Sequence, residues 1–146
     1  MRIRSVVGAA VLGLVVMGCS EGNVFSLEPG TCFDDVTELT SEGGGEVSDV
    51  PVVDCGEPHD NEVFATFDLE GDDFPGQDAV VSQADAGCVD RFEAYVGRDY
   101  PSSRFVSSHL VPTQQTWEDQ GDREVVCFLY DIDLARLEGS AEGSGE

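Results

Sequence analysis

Apolar and polar residues alternate along several short segments of the chain, and this pattern predicts β-strands. VPVVDC, from Val50, and EVFATFDL, from Glu62, have the two-residue period and the flanking turn residues of strands. In the second segment the alternation predicts one face with Val63, Ala65, Phe67 and Leu69 and another with Phe64 and Thr66. SRFVSSHLV, which ends before Pro112, predicts a further strand.

Two other segments predict how these strands are covered. REVVCFLY, from Arg123 to Tyr130, is apolar on both faces, which is typical of a central strand covered on each side. The segment from Asp78 to Val96 predicts the one long helix, and Gly97 fits its C-terminal cap. Residues at helical spacing along it are Val80, Ala84, Cys88, Phe92 and Tyr95. The pattern predicts an α+β fold, a small antiparallel sheet with one main helix packed on it.

Shorter features complete this interpretation. PTQQTW, from Pro112 to Trp117, predicts a short helical turn, and Gly121 with Asp122 a turn after it. Residues 19–26 are predicted to form a linker, Ser41 to Ser48 a flexible loop, and residues 138–146 a disordered tail. The predicted folded domain spans residues 27–137.

The N-terminus has the features of an export signal. Arg2 and Arg4 precede the twelve-residue apolar run VVGAAVLGLVVM, which is too short to cross a bilayer of about 30 Å. VMGC, from Val16 to Cys19, resembles the lipobox of bacterial lipoproteins, in which the cysteine is acylated and becomes the mature N-terminus. We therefore expect a signal peptide at residues 1–18 and a lipid anchor on Cys19. The alternative is a plain secretory signal with an incidental cysteine.

The charge of the chain limits its partners. The formal net charge is −23, and removing residues 1–18 with their two arginines changes it to −25. Such an acidic surface repels phosphate backbones and anionic lipid headgroups, so nucleic acid is excluded as a partner. Solubility alone also accounts for the charge.

Four cysteines remain after Cys19, and in an exported chain they predict two disulfides. Of the three possible connectivities, Cys32–Cys55 and Cys88–Cys127 join segments that must already be adjacent. A zinc site is the alternative, but no pair has the two- to four-residue spacing of structural zinc ligands, and the two histidines are fifty residues apart. We predict no cofactor and no metal.

The segment EPHDNEV contains the candidate site residues Pro58, His59, Asp60 and Glu62. The proline and the Asp-Asn pair favour a turn before a strand, so we interpret His59 as a structural or binding residue at a stapled turn. The alternative is a cell-wall hydrolase or cation-dependent enzyme that uses His59, Asp60 and Glu62. No serine lies in a nucleophile-elbow context, which disfavours that alternative.

Three further features were tested for chemistry. The acidic run from Asp68 to Asp78 fails as an EF-hand, because Asp73 and Ala79 occupy the positions that need glycine and glutamate, although an irregular calcium site stays open. Trp117, the only tryptophan, is a candidate binding anchor or a core residue. His109 is predicted to be a half-buried residue of a strand.

Six motifs occur in order: G-x-C-F from Gly30, V-x-C-x-x-P-H-x-x-E-V from Val53, FPGQDA from Phe74, C-x-x-x-F-x-x-Y-V-G from Cys88, PT-x-x-x-W from Pro112 and GDR-x-x-x-C from Gly121. Together they resemble the actinobacterial septum-formation domain family, over residues 27–131. The resemblance implies an envelope protein linked to the division septum, without an assigned enzymatic activity. We expect a lipid-anchored, non-enzymatic domain on the outer face of the cytoplasmic membrane that binds a protein partner with a basic face.

Overall fold

The structure, a computed structural model, describes residues 20–40 and 46–146. The predicted signal peptide, Cys19 and most of the glycine-rich loop that begins at Ser41 lie outside these residues. In chain order the elements are β1 (Ser20–Asn23), β2 (Cys32–Phe33), α1 (Thr37–Thr40), β3 (Asp49–Val53), β4 (Asn61–Asp68), α2 (Gln77–Val96), β5 (Phe105–Leu110), α3 (Gln114–Gln120) and β6 (Glu124–Asp131). None of the helices in this part of the chain is long and apolar enough to span a membrane.

The strands form one antiparallel sheet in the order β1-β3-β2-β4-β6-β5. The last strand of the chain, β6, lies between β4 and β5, with apolar side chains on both faces. The predicted central strand is therefore confirmed. With α2 packed on the sheet, the predicted α+β class is confirmed as well.

Helix α2 forms where the apolar spacing predicted it. Its buried residues are Val80, Ala84, Cys88, Phe92 and Val96, which recur every four residues and face the sheet. The helix ends because Gly97 adopts the left-handed conformation, with φ of 82°, and donates its N–H to the carbonyl of Glu93. The short helical turn predicted at Pro112 is the longer α3, capped by Thr113.

The two faces of the sheet differ in what covers them. One face packs against α2 through Phe64, Ala65 and Leu129, among others. The opposite face carries Val63, Val126 and Phe128, covered by residues from the N-terminal part of the domain.

The face assignment predicted for β4 is wrong at its start. A register shift between Val63 and Ala65 interrupts the two-residue period. Val63 consequently packs on the face opposite α2, whereas Phe64 and Ala65 both pack with the helix.

The predicted linker at residues 19–26 also differs from the structure in its described part, which begins at Ser20. Ser20–Asn23 pairs with β3 as an edge strand, and Val24 is buried in the core of the second face. The pairing was missed because SEGN is too short and polar to predict a strand, but a neighbouring strand supplies its hydrogen-bond partners. The folded domain therefore includes residues before Leu27.

The C-terminal segment, residues 138–146, is not the disordered tail that its composition predicted. Ala141 is 3% exposed, and the N–H groups of Gly143 and Gly145 donate to the carbonyls of Tyr95 and Val96, both at 2.8 Å. Its glycines lie along the end of α2, where backbone hydrogen bonds rather than side chains hold the segment. We call residues 138–146 the C-terminal strap.

Both predicted disulfides are confirmed. Cys32 joins Cys55 with a Cα separation of 5.3 Å, and Cys88 joins Cys127 with 5.6 Å. Closing loops with sequence separations of 23 and 39 residues stabilises the fold by about 3.5 and 4 kcal/mol in the chain-entropy model. The first staples β2 to the turn before His59, and the second joins α2 to β6.

Candidate functional site

Glu62 is a buried carboxylate at the start of β4. It lies directly opposite Cys32 of β2, on the face that carries α2. Its carboxylate accepts hydrogen bonds from the Tyr95 hydroxyl at 2.7 Å, the Ser140 hydroxyl at 2.5 Å and the Ala141 N–H at 2.7 Å. Three donors from α2 and the C-terminal strap thus compensate for its burial.

Burial raises the pKa of the Tyr95 hydroxyl well above its ordinary value, and the hydrogen bond to Glu62 adds to this effect. Tyr95 therefore stays protonated and remains a hydrogen-bond donor at physiological pH. Its ring also lies near Phe64, with centroids 6.3 Å apart.

His59 is completely buried beside Glu62. Its backbone forms a bridge with Leu137, and its ring Nδ1 lies 2.8 Å from the carbonyl oxygen of Glu57. A carbonyl can only accept, so Nδ1 carries the proton. Nε2 is buried without a hydrogen-bond partner. Among the described residues, one group of three potential metal ligands is close enough to share an ion: Cys32, His59 and Glu62, whose ligand atoms lie within 4.8 Å of one another.

Pro58 and Asp60, the other two candidates of this segment, bind within the domain. Asp60 accepts the backbone N–H of Asp35 at 3.0 Å and lies 3.3 Å from the guanidinium of Arg136. Arg136 also donates to the Pro58 carbonyl at 2.6 Å. The four predicted residues are therefore neighbours. The polar groups of His59 and Glu62 are buried, whereas the carboxylate of Asp60 is partly exposed and pairs with Arg136.

Trp117 is a core residue rather than an exposed anchor. It is 2% exposed, and its indole N–H donates to the carbonyl of Asp72 at 3.1 Å. The guanidinium of Arg123 lies 3.7 Å from the ring centroid. The acidic loop from Asp68 to Asp78 thus supplies a backbone hydrogen-bond acceptor to Trp117. Within the described structure, no three of its carboxylates lie close enough together to share a metal ion.

A groove that the sequence did not predict lies mainly on the sheet face opposite α2 and extends to Gln77 and Val81 of α2. It has a volume of about 680 Å³. Its floor is apolar and includes Leu110, Val126 and Phe128, and its walls come from the N-terminal part of the domain and from α3. Patterning predicted these strand residues but could not show that a groove lies between them and the described segments that cover the sheet.

Carboxylates border the groove, and no side chain of the described residues pairs with them as a cation. Glu46, Asp122 and Glu124 line it, and none of them has an ion-pair partner within the described ranges. Burial raises the pKa of Glu124, and the negative charges of Asp68 and Asp122 raise it further. The local potential is therefore negative.

The basic side chains that the structure describes form contacts within the chain. His109 lines the groove, and burial lowers the pKa of its ring. Asp85, at 3.3 Å, opposes this effect only in part, so the lowered pKa favours the neutral ring. The five arginines that the structure describes all bond to the chain itself: Arg91, Arg98, Arg104, Arg123 and Arg136.

A second, smaller groove continues along the same face. It has a volume of about 310 Å³ and shares Leu39, Ser108 and Phe128 with the first. Its acidic residues are partly compensated, since Asp131 pairs with Arg104 at 3.5 Å. The two grooves form a continuous surface with an apolar floor, which we call the acidic groove.

Comparison with known proteins supports the resemblance drawn from the six motifs. The model of a family described as septum formation matches residues 29–144. That family is not known as a family of enzymes. In the comparisons with curated proteins and with solved structures, no significant match was found.

Proposed function

Because the chain belongs to the septum-formation family, we propose that it acts in septum formation as a lipid-anchored, non-enzymatic domain that binds a protein partner. The family itself suggests a role in cell division. The anchor, the partner and the absence of catalysis go beyond what family membership provides, and each has its own support.

The lipid anchor is supported by the sequence VMGC before Ser20. Two disulfides are compatible with a position outside the cytoplasm, where thiols are oxidised. Because β1 begins at Ser20, an acyl group on Cys19 places the membrane directly next to the sheet edge, without a spacer. Mass spectrometry of the membrane form should show an acylated Cys19 as its first residue, and an unmodified cysteine would contradict the anchor.

Partner binding is supported by one observation above all, the acidic groove. An apolar floor with uncompensated carboxylates at its border fits a segment that presents apolar side chains together with Lys or Arg. Opposite charge accelerates the encounter and fixes the register of the segment. We therefore propose a partner with a basic, partly apolar binding segment.

The catalytic alternative receives no support from the geometry. His59 and Glu62 are both 0% exposed, so a substrate has no access to either without a rearrangement of the C-terminal strap.

The acidic surface provides solubility in addition to binding, and the same negative potential disfavours nucleic acid as a partner.

A site-specific crosslink tests the groove. A photoreactive amino acid in place of Ser108, which lines both parts of the groove, should crosslink to a partner peptide rich in Lys or Arg. Glu124→Lys should lower the crosslink yield at least about tenfold, because like charges then face each other. Asp90→Lys makes the same charge change on an exposed position of α2 and should leave the yield unchanged.

The outcome distinguishes the groove from general electrostatic attraction. Equal losses in both variants, or a contact peptide without basic residues, would contradict the groove as the binding site. Septal enrichment of a fluorescent fusion should disappear in the Glu124→Lys variant and persist in Asp90→Lys. An even distribution of the parent fusion around dividing cells would contradict the septal role.

A further inference from the structure

The sheet brings three potential metal ligands together independently of the disulfides. Cys32 and Glu62 are directly opposed on β2 and β4, which places their Cβ atoms about 5 Å apart on one face. His59 precedes β4 and is fixed by its bridge to Leu137. All three side chains are buried, and backbone pairing rather than a flexible loop determines their positions.

The orientation of His59 is that of a metal ligand. Ligating histidines usually donate the proton of one ring nitrogen to a carbonyl, which leaves the lone pair of the other nitrogen directed at the metal. Here Nδ1 donates to the carbonyl of Glu57, and Nε2 is buried without a partner. A ring nitrogen of His59 lies within 4.8 Å of the Cys32 sulfur and a carboxylate oxygen of Glu62. The three hydrogen bonds to Glu62 leave one of its four lone-pair positions for a further contact.

While the disulfide is intact, the sulfur of Cys32 is not a thiolate that can bind a metal. Sulfur binds zinc as a thiolate, and Cys32 is bonded to Cys55. A dithiol reductant transfers two electrons and two protons to the disulfide, becomes a disulfide itself and leaves two thiols. Zinc binding then releases the two thiol protons.

We propose that, when the Cys32–Cys55 disulfide is reduced, Cys32, Cys55, His59 and Glu62 bind one zinc ion. Two thiolates, one imidazole and one carboxylate are the ligand types and the number that tetrahedral zinc takes. Thiolate and imidazole favour zinc over magnesium or calcium, which take oxygen ligands. Three of these ligands, Cys55, His59 and Glu62, lie within eight consecutive residues, and only the pairing of β2 with β4 brings the fourth, Cys32, to them.

The two disulfides differ in access, which makes selective reduction feasible. Cys55 is half-buried, so an external thiolate can attack its sulfur and release Cys32. Cys88 and Cys127 are 1% and 0% exposed. That second staple should therefore stay closed under mild reduction and maintain the fold.

Zinc titration of the oxidised and mildly reduced protein tests the site. With a metallochromic chelator as competitor, we expect no binding to the oxidised protein and one zinc ion per chain in the reduced protein. His59→Gln should weaken binding at least about tenfold, as expected when a ligand is lost. His109→Gln removes the other histidine of the chain and should leave the affinity unchanged.

Alkylation mapping of the parent protein provides a second measurement that does not depend on a variant. Zinc should slow the alkylation of Cys32 and Cys55 in the reduced protein. A reduced protein that keeps its fold and binds no zinc would overturn the proposal, as would zinc binding that His59→Gln does not weaken. If His59→Gln does not fold, the alkylation map decides, and alkylation of Cys32 and Cys55 at the same rate with and without zinc contradicts the site.

Discussion

Replacing Glu62 with alanine should destabilise the domain by about 2–4 kcal/mol. The Ala141 N–H is buried, and losing its acceptor costs about 1–3 kcal/mol. The Tyr95 and Ser140 hydroxyls can turn toward water, so each loses only about 1 kcal/mol. Removing a buried carboxylate also removes its unfavourable desolvation, which offsets part of these losses.

Urea unfolding at neutral pH measures the loss, and hydrogen exchange locates it. The melting temperature should fall by about 7–14 °C for a domain of this length. Because Glu62 binds the C-terminal strap, the amides of Gly143 and Gly145 should exchange faster than in the parent. Glu62→Gln keeps the shape and part of the hydrogen bonding, so its loss should be smaller.

A matched control separates the buried carboxylate from charge in general. Glu93→Ala removes an exposed glutamate of α2 and should stay within about 0.5 kcal/mol of the parent. If Glu62→Ala unfolds with the parent's free energy, the three hydrogen bonds are not compensating a buried charge. If the domain is destabilised but the exchange of Gly143 and Gly145 stays unchanged, Glu62 does not hold the strap.

Two further predictions concern the contacts of α2 with β5 and with β4. Burial lowers the pKa of His109, although Asp85 opposes this effect. As the pH falls through about 6.5, the unfolded chain therefore binds a proton at His109 before the folded chain does. The free energy of unfolding consequently decreases with falling pH. His109→Gln should flatten that slope in urea titrations from pH 7 downward, and an unchanged slope would show that other groups cause it. Gly87→Ala places a Cβ 2.3 Å from Phe67 Cζ, so overpacking should outweigh the gain in helix propensity and give a net loss of roughly 1 kcal/mol in thermal unfolding. Ser82→Ala, at an exposed position of the same helix, is the control, and a stabilised Gly87→Ala would show that the ring moves aside freely.

The regular elements could be predicted from the sequence because their signals are local. The four-residue spacing from Val80 to Phe92 reflects the helix period, and the run from Val125 to Leu129 reflects burial on both faces. The disulfide partners followed from which elements must be adjacent.

The errors occurred where a distant segment determines the local structure. Nothing in SEGN, from Ser20, indicates that β3 will pair with it, and nothing in GSAEGSGE, from Gly139, indicates that Glu62 and the end of α2 supply its partners. The bulge after Val63 depends on pairing with β6.

The same distinction between local signals and distant contacts applies to the candidate site. Local turn chemistry identified His59 and Glu62, but the approach of Cys32, Tyr95 and the strap depends on the whole fold. The acidic groove is still less local, since it forms between a sheet face and the described segments that pack over it.

The position of β6 has a consequence for the order in which the protein folds during synthesis. The strands β1, β3, β2 and β4 are neighbours in the sheet, so this half, with the Cys32–Cys55 bond, can assemble from the first 68 residues. Strand β5 has no partner until β6 has emerged, and Cys88 must wait with it for Cys127. Glu62 receives its last hydrogen-bond donors only from residues 140 and 141. Part of the apolar face of α2 therefore stays uncovered from the completion of the helix at Val96 until β6 has emerged, and native closure is a late step that depends on long-range contacts.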